Sequence, residues 1–264
     1  MTSSATSAVL PSVPMIVSAG SYFVRIALRL LAVAMTTLPM RVAAQEVFPG
    51  EVRQLVTFRF VPGGATAART IFRERALPLY ELDTAMRSFR AFREVESSIP
   101  LDLIVVSSFE GMAGMDEHNR VISGLPGPDG MGIGGFYGAI GDLIAAHDDQ
   151  FVAMLPDLSH GDPTSRPRVA LVWYRILPGQ SDRFEEAIQH ELLPRERSAG
   201  LPSATGRFLL SDGWHYLRML GFDSLGAYQA YWDGPTAAGH EGVDGVTTER
   251  REVILAPVPE LAVR

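Results

Sequence analysis

A chain of 264 residues, 47% of them hydrophobic, is long enough for one large or two small domains with a sizeable core. Its formal charge of −7 argues against nucleic acid as a partner, because phosphate binding needs a basic surface and the sequence shows no basic stripe. The chain has no cysteine, which excludes disulfides, thiol catalysis and thiolate metal sites.

Residues 1–44 are typical of a secretory signal peptide. No acidic residue precedes Glu46, and two arginines lead into the apolar stretch LLAVAMTTLPM. Val42 and Ala44 fit the small-residue pattern before a cleavage site, so we expect a mature chain that begins at Gln45 and is periplasmic or extracellular. The apolar stretch is too short to cross a bilayer comfortably, and no stable membrane span is predicted. The alternatives are an uncleaved anchor and a later initiator methionine.

An internal repeat is the main feature of the remaining chain. At an offset of 116 residues, VPGGATAARTIFRERALPLYE aligns with LPGQSDRFEEAIQHELLPRE. SFEGMAGMDEHN aligns with GFDSLGAYQAYW at an offset of 113 residues, and QFVAMLPDL with REVILAPV at an offset of 101 residues. The identities at the first offset are Arg59 with Arg175, Pro62 with Pro178, Gly63 with Gly179, Leu77 with Leu193 and Pro78 with Pro194.

Each copy predicts the element order βαββαβ. A strand with period-2 alternation comes first, and Pro-Gly then turns the chain into an amphipathic helix. Two more strands follow, near AMRSFRAFRE and DLIVVSSF in the first copy and near TGRFLLS and HYLRMLGF in the second, and then a short helix and a last strand. The helix-facing residues of the first strands are Val52, Val56, Phe58 and Phe60 in copy one, and Ala170, Val172, Tyr174 and Ile176 in copy two.

The predicted fold class is therefore α+β, with two tandem ferredoxin-like units at residues 50–158 and 159–264. A βαββαβ unit covers one face of its sheet with helices and leaves the other face open. Two units in one chain can cover these open faces by packing sheet on sheet, which forms an α/β barrel.

This arrangement resembles the dimeric α/β barrel superfamily, here fused in tandem. The combination of strand, PG and helix, then GFDSLGAYQAYW and the Pro-containing strand ILAPVPEL, is most similar to NIPSNAP-type domains. The same motifs recur in the antibiotic-biosynthesis monooxygenase and stress-responsive barrel families. The resemblance covers residues 50–264 and brings no catalytic residues that could be assigned position by position.

Histidines are the candidates for acid–base chemistry. QHE and GHE place His and Glu next to each other, where they point in different directions on a helix, so we predict no metal site. Alternation in WHYLRML puts His215 on the helix-facing side of its strand, where His190 of the preceding helix could approach it. Tyr174 is the candidate for positioning a substrate ring. The alternative is structural: His215 is a core residue with one hydrogen bond, and His190 is exposed.

The opposite strand faces carry aromatic and arginine residues that we expect in the barrel interior. Arginines beside rings can stack on them and can pair with carboxylates. Such an interior is either neutralised by internal acids or holds a small aromatic or anionic ligand. The candidate ligand-binding residues are Arg59, Trp173, Arg175, Trp214, Tyr216 and Arg218.

The Gly-rich segment SGLPGPDGMGIGGFYG has neither the lysine nor the downstream acid of a nucleotide-binding loop. We interpret it as a lid over a pocket mouth. We expect a site, if one exists, in the second copy, which is richer in aromatic residues and histidine.

These observations predict an exported small-molecule-binding or scaffold protein, either a monomeric pseudo-dimer or a homo-oligomer, that needs no cofactor. The alternative is a cofactor-independent oxygenase acting on a phenolic substrate, or an isomerase-like enzyme, with His215 or His190 as base. A third alternative is a haem-binding protein of the same fold, although no histidine stands out as an axial ligand.

Overall fold

The computed structural model describes residues 50–97, 101–233 and 240–263. The predicted signal peptide and Gln45 lie outside the described residues. Within the described ranges, no helix combines the length and the hydropathy that a bilayer crossing requires.

Eight strands of the described chain form one closed antiparallel barrel, in the order β1-β3-β2-β8-β5-β7-β6-β4. The strands are β1 (Glu51–Phe60), β2 (Met86–Ser97), β3 (Leu103–Glu110), β4 (Ile144–Met154), β5 (Arg168–Ile176), β6 (Ser203–Leu210), β7 (Tyr216–Phe222) and β8 (Thr247–Val263). The helices of the described residues are α1 (Gly64–Ile71), α2 (Leu77–Leu82), α3 (Gly111–Gly124), α4 (Gly132–Gly141), α5 (Ser181–Ala187), α6 (Leu193–Ser198), α7 (Leu225–Asp233) and α8 (Glu241–Asp244). Two π-helical turns, Phe72–Ala76 and Ile188–Leu192, join α1 to α2 and α5 to α6.

The strand order has the same form in residues 50–158, the first half, and in residues 159–264, the second half. The neighbours run β4-β1-β3-β2 in the first half and β8-β5-β7-β6 in the second. The two sheets face each other and are also joined at their edges, because β2 pairs with β8 and β4 pairs with β6. Edge pairing satisfies the backbone groups that open sheets would expose. The α+β class and its ferredoxin-like arrangement are confirmed, whereas the boundary between two repeats stays a prediction.

The Pro-Gly pairs form the same turn in both halves. Gly63 and Gly179 have φ of 79° and 73°, a conformation that glycine adopts at little cost. The turns are closed by Gly64 N donating to Val61 O at 2.8 Å and by Gln180 N donating to Leu177 O at 3.1 Å. Proline followed by a left-handed glycine with this closing bond is a type II turn, which directs each strand into its helix.

The Leu-Pro pairs explain the π turns. Proline inside a helix has no N–H to donate and clashes with the carbonyl of the preceding turn. The chain widens just before Pro78 and Pro194, where the N–H of Leu77 donates to Phe72 O and that of Leu193 donates to Ile188 O. A bond to the fifth preceding residue defines a π turn, and such turns are frequent at functional sites.

The hydrophobic core has three parts, because the sheet is covered on both of its faces. One cluster fills the barrel interior, and one lies between the sheet and the helices of each half. β6 and β4 approach so closely at the seam that a Cβ on Gly206 would lie 2.3 Å from Val152 Cγ1. A strand that is buried on both faces has apolar residues on both, so its sequence does not show which face points into the barrel.

Candidate functional site

A cavity of about 250 Å³ lies between the sheet and the helices of the first half. Its walls come from β1, β2, β3 and β4 on one side and from α2, α3, α4 and the first π turn on the other. Most lining side chains are apolar, and six of them are phenylalanine or tyrosine: Phe58, Phe72, Tyr80, Phe89, Phe136 and Tyr137. Small-molecule sites typically combine such an apolar wall with a few polar groups that orient the ligand.

His118 and Asp83 supply the strongest polar feature of the cavity. His118 on α3 lines the cavity, and its Nδ1 is hydrogen-bonded to Oδ2 of Asp83, which follows α2 directly. Asp83 is fully buried, and its other oxygen accepts a hydrogen bond from Ala85 N at 2.9 Å. A carboxylate at Nδ1 fixes the tautomer and the orientation of the ring. Nε2 is then the nitrogen left to act as acceptor or base towards a bound molecule.

Further polar groups lie near His118 or at the rim. The ring of Tyr80 lies 6.1 Å from the His118 ring, and burial raises the pKa of the Tyr80 hydroxyl above its usual range, so it stays a hydrogen-bond donor. Ser107 adds a buried hydroxyl from β3. At the rim, Gln54 Nε2 donates to Oδ1 of Asp149 at 3.0 Å. Carboxylates but no arginine line or support this cavity, so it favours neutral over anionic molecules.

The Gly-rich segment covers one side of this cavity. It leads into α4, which contributes Phe136 and Ile140 to the wall. Arg75 on the π turn holds the segment by an ion pair with Asp129 at 2.8 Å and a hydrogen bond to the carbonyl of Gly135 at 3.1 Å. This position agrees with the predicted lid, whose opening stays a prediction.

The matching space in the second half is filled. At the repeat offsets, Tyr80, Val105 and His118 correspond to Glu196, Arg218 and Tyr231. Arg218 Nη2 donates to both carboxylate oxygens of Glu196 at 2.8 Å, and the Tyr231 hydroxyl donates to the same carboxylate at 2.7 Å.

Both charged groups of this pair, Arg218 and Glu196, have no exposed surface. Burial by itself raises the pKa of Glu196, but the Arg218 charge, the Ser203 hydroxyl and the hydrogen bonds from Arg218 and Tyr231 together outweigh it and hold the pKa below its usual range. The pair stays ionised, so the space of the second half that matches the His118 cavity is filled. A cavity of about 230 Å³ lies elsewhere in the second half and is lined by Trp214, His215 and Tyr216, so the expected site in the second copy stays a prediction.

Two predicted ligand-binding residues, Trp173 and Arg59, lie in different parts of the barrel. Trp173 belongs to the cluster in the barrel interior, as predicted, and its Nε1 donates to Oε1 of Gln150 at 2.8 Å. Arg59 is exposed near the end of β1, at a shift in the register with β4. These two side chains are not brought to one pocket.

Arg175 and Trp214 lie together at one end of the barrel. Trp214 is buried between two guanidinium groups, with Arg175 at 4.6 Å and Arg251 at 4.8 Å from the ring centroid. Arg175 also pairs with Glu249 at 2.6 Å. This geometry matches the neutralised arrangement that the sequence left open as an alternative to a pocket.

Tyr216 and Arg218 lie on the helix-facing side of β7, so their predicted placement in the barrel interior is wrong. The same reversal puts Leu217 and Met219, which alternate with them along β7, into the interior cluster. All seven residues of β7 are buried, and alternation therefore carries no polarity signal in this strand.

The predicted catalytic candidates differ in environment: His215 lines the cavity of the second half, whereas Tyr174 and His190 do not line it, and their catalytic roles stay predictions. His215 is exposed, and its Nδ1 accepts a hydrogen bond from Ile176 N at 2.9 Å, so in the neutral ring Nε2 carries the proton. His190 is exposed on the second π turn. Tyr174 is buried against Phe184, and burial raises its pKa to about 12.

Sequence reasoning missed His118 and Asp83. They lie 35 residues apart on separate elements, and no spacing rule connects them. One signal was available: at the offset of 113 residues His118 aligns with Tyr231, and a difference in a polar residue between aligned positions indicates a different environment.

The same residues do not suit a metal ion or a haem. Among the described side chains, no three His, Cys, Asp or Glu groups converge on a point that could hold a metal ion. A haem does not fit the cavity, because no arginine lines it to hold the propionates.

Solved structures show where this architecture occurs. A candidate monooxygenase from Fusobacterium nucleatum superposes with a TM-score of 0.60 at 7% identity, over 79% of this chain and 93% of that chain. The chain has the dimeric α/β barrel fold. An anthrone oxidase-like protein superposes with a TM-score of 0.51 at 12% identity, over 80% of this chain and 92% of that chain. A variant of chlorite dismutase from Candidatus Nitrospira defluvii superposes with a TM-score of 0.52 at 10% identity, over 81% of this chain and 94% of that chain.

At these identities the likeness concerns the fold alone. No protein-family model matches the chain, and no curated protein matches its sequence.

Proposed function

We propose that the cavity of the first half binds a small uncharged aromatic molecule and that His118 removes a proton from it. The observation that carries this proposal is the imidazole held at Nδ1 by the buried Asp83 on the wall of an apolar cavity. A general base needs a free nitrogen, a fixed orientation and reach to the substrate, and Nε2 of His118 meets the first two conditions.

The cavity wall supports the choice of ligand. Rings of Phe72, Phe89 and Phe136 suit a planar apolar body, and the hydroxyls of Tyr80 and Ser107 suit a carbonyl or hydroxyl on it. Asp149 at the rim and Asp83 behind His118 disfavour a carboxylate or phosphate on the ligand.

Proton removal is compatible with two reactions. The proton passes from a weakly acidic C–H or O–H to Nε2, and the electron pair stays on the substrate ring. An oxygenase then transfers electrons to dioxygen as co-substrate, whereas an isomerase returns the proton to another carbon. The names of the structural relatives, a candidate monooxygenase and an anthrone oxidase-like protein, favour the oxygenase.

We also infer that residues 50–158 and 159–264 are tandem repeats of NIPSNAP type and that residues 1–44 direct export. The matched Pro-Gly turns and π turns support the duplication. If the second half is only structural and the first binds without turnover, the protein is a binding protein or scaffold. Edman sequencing of secreted protein tests export and is expected to start at Gln45.

A pair of ligands that differ only in charge tests the binding proposal. We expect 1-naphthol to bind in calorimetry and 1-naphthoate to bind at least about tenfold more weakly, because the cavity offers the carboxylate no cationic partner. Ser107→Leu fills the cavity and should abolish 1-naphthol binding. Equal affinity for the two ligands would overturn the proposed ligand class.

Anthrone tests the chemistry, because it is a neutral tricyclic ketone with weakly acidic ring CH₂ protons. We expect oxygen consumption or CH₂ proton exchange above the buffer rate, and a loss of about 100-fold in His118→Gln with ligand binding retained. His215→Gln is the matched control and should keep the rate. A full rate in His118→Gln contradicts the role of His118 as base.

A further inference from the structure

We propose that the open end of the barrel interior, where β1 begins, is a binding site for a small oxyanion. A second cavity, of about 280 Å³, lies there, on the opposite face of the sheet from the His118 cavity. β3 separates the two, because Val105 and Ser107 point into the first cavity and Val106 and Ser108 into the second. This proposal does not depend on the proposed function.

Three arginines line this second cavity, and one of them, Arg87, already pairs with Glu110 at 2.9 Å. Arg53 comes from β1, and Arg87 and Arg90 come from β2, on the two sides of β3. The lining also contains two carboxylates, Glu51 and Asp162, so its formal charge is positive in a chain of formal charge −7. General basicity of the protein therefore does not explain the cluster.

The guanidinium of Arg53 is poorly satisfied by the protein. Its side chain is 15% exposed, its Nε pairs with Glu51 at 2.5 Å, and its Nη1 donates to the sulfur of Met219 at 3.1 Å. A thioether is a weak acceptor for a charged donor. An oxyanion in the cavity would offer Arg53 a stronger partner without moving it away from Glu51.

Arg90 is also held loosely. Its closest carboxylate oxygen, on Asp162, lies 3.6 Å away, and its other contact is with the carbonyl of Thr164 at 3.3 Å. Asp162 is mainly used within its own loop, where its Oδ1 accepts from the Thr164 backbone at 2.9 Å and from its hydroxyl at 2.6 Å.

Two hydroxyls complete the donor set. Ser88 Oγ and Ser108 Oγ lie 2.7 Å apart on neighbouring strands at the wall of this cavity. Only one hydrogen lies between the two oxygens, so the other hydroxyl can donate to a ligand. Paired guanidinium donors with hydroxyls suit a phosphoryl or carboxylate group, which accepts several charge-assisted hydrogen bonds at once.

Calorimetry of the full chain with inorganic phosphate and with succinate tests the site. We expect saturable binding of at least one of them, weakened at higher ionic strength. Binding of phosphate alone assigns a phosphoryl ligand, and binding of succinate alone assigns a carboxylate. The absence of saturable binding of either anion overturns the proposal.

Variants locate the binding. Arg53→Gln and Arg90→Gln should each lower the affinity about tenfold or more, because each removes charge-assisted hydrogen bonds. Arg90 is the safer probe of the two, since its side chain is 34% exposed and its loss leaves no buried charge behind. Arg73→Gln is the control, with an exposed arginine on the helix side whose partner is Glu74 at 3.3 Å.

Removing a competing carboxylate gives the most specific result. Glu51→Gln should raise the anion affinity several-fold, because it releases Arg53 and removes a negative charge from the wall. If the cluster only stabilises the fold, Glu51→Gln lowers stability and leaves anion affinity unchanged. That outcome, or unchanged affinity in Arg90→Gln, rejects the site.

Discussion

The two halves of the barrel use the space between sheet and helices in opposite ways. The first half keeps a cavity with His118 and Asp83 on its wall, and the second half fills the matching space with Arg218 and Glu196. The turns, the π turns and the strand order are alike in both. The same backbone arrangement can therefore hold either a cavity or a buried ion pair, and a few side chains determine which of the two forms.

The largest expected effect comes from breaking the ion pair of the second half. Arg218→Met should lower the free energy of unfolding by about 3–5 kcal/mol, because it leaves Glu196 buried without its partner. The double variant with Glu196→Gln should recover much of this loss. Urea unfolding followed by circular dichroism measures both. Equal losses in the single and double variants would show that the pair is not what stabilises this half.

The second half should also make stability depend on pH through His240. Burial, together with the Arg218 charge, lowers the pKa of His240 to about 4 from its usual 6.5. Between these values the unfolded chain binds the proton that the folded chain excludes, so stability falls as pH falls from 6.5. The loss reaches up to about 3 kcal/mol near pH 4.

Glu252 opposes this slope and makes a difference measurement necessary. Burial raises its pKa to about 7 from 4.5, so the folded chain binds a proton there and stability falls as pH rises through this window. Subtracting the unfolding free energies of His240→Phe from those of the wild type isolates His240. A difference that does not change between pH 6.5 and 4 contradicts its buried, neutral state.

A substitution that makes the first half resemble the second should stabilise it. Ser107 corresponds to Leu220 at the offset of 113 residues, and Ser107→Leu fills the cavity. We expect a gain of about 1 kcal/mol in unfolding free energy and loss of 1-naphthol binding. Phosphate binding should persist in this variant and be lost in Ser108→Val, whose side chain faces the other cavity. Loss of both ligands in either variant would show that the two cavities are not independent.

The smallest effect concerns the segment over the cavity. Arg75→Gln removes the partly exposed ion pair with Asp129 and should cost only about 0.2–1 kcal/mol. Limited proteolysis is the more sensitive measurement, and we expect faster cleavage within residues 124–131 that 1-naphthol slows. Arg73→Gln should cleave at the wild-type rate. If 1-naphthol protects Arg75→Gln and Arg73→Gln equally from cleavage, the segment does not act as a lid.

Local chemistry made much of the fold predictable. Pro-Gly and the helical spacing of apolar residues each act within a few residues, and they predicted the order of strands and helices and the turn into the first helix of each half, but not the π turns. The candidate site was predicted less well. Trp173 faces the interior as expected, but Tyr216 and Arg218 face the helices, because every residue of β7 is buried and its sequence does not distinguish the two faces.

The sequence by itself determined the α+β class and the order of elements, because these follow from short-range turn geometry and periodicity. Only the tertiary structure decided that β2 pairs with β8 and β4 with β6, and that His118 meets Asp83. It also placed Arg53, Arg87 and Arg90 around one cavity. Contacts between distant residues depend on packing of the whole chain, where side-chain volume and burial of charge select among arrangements that look alike in the sequence.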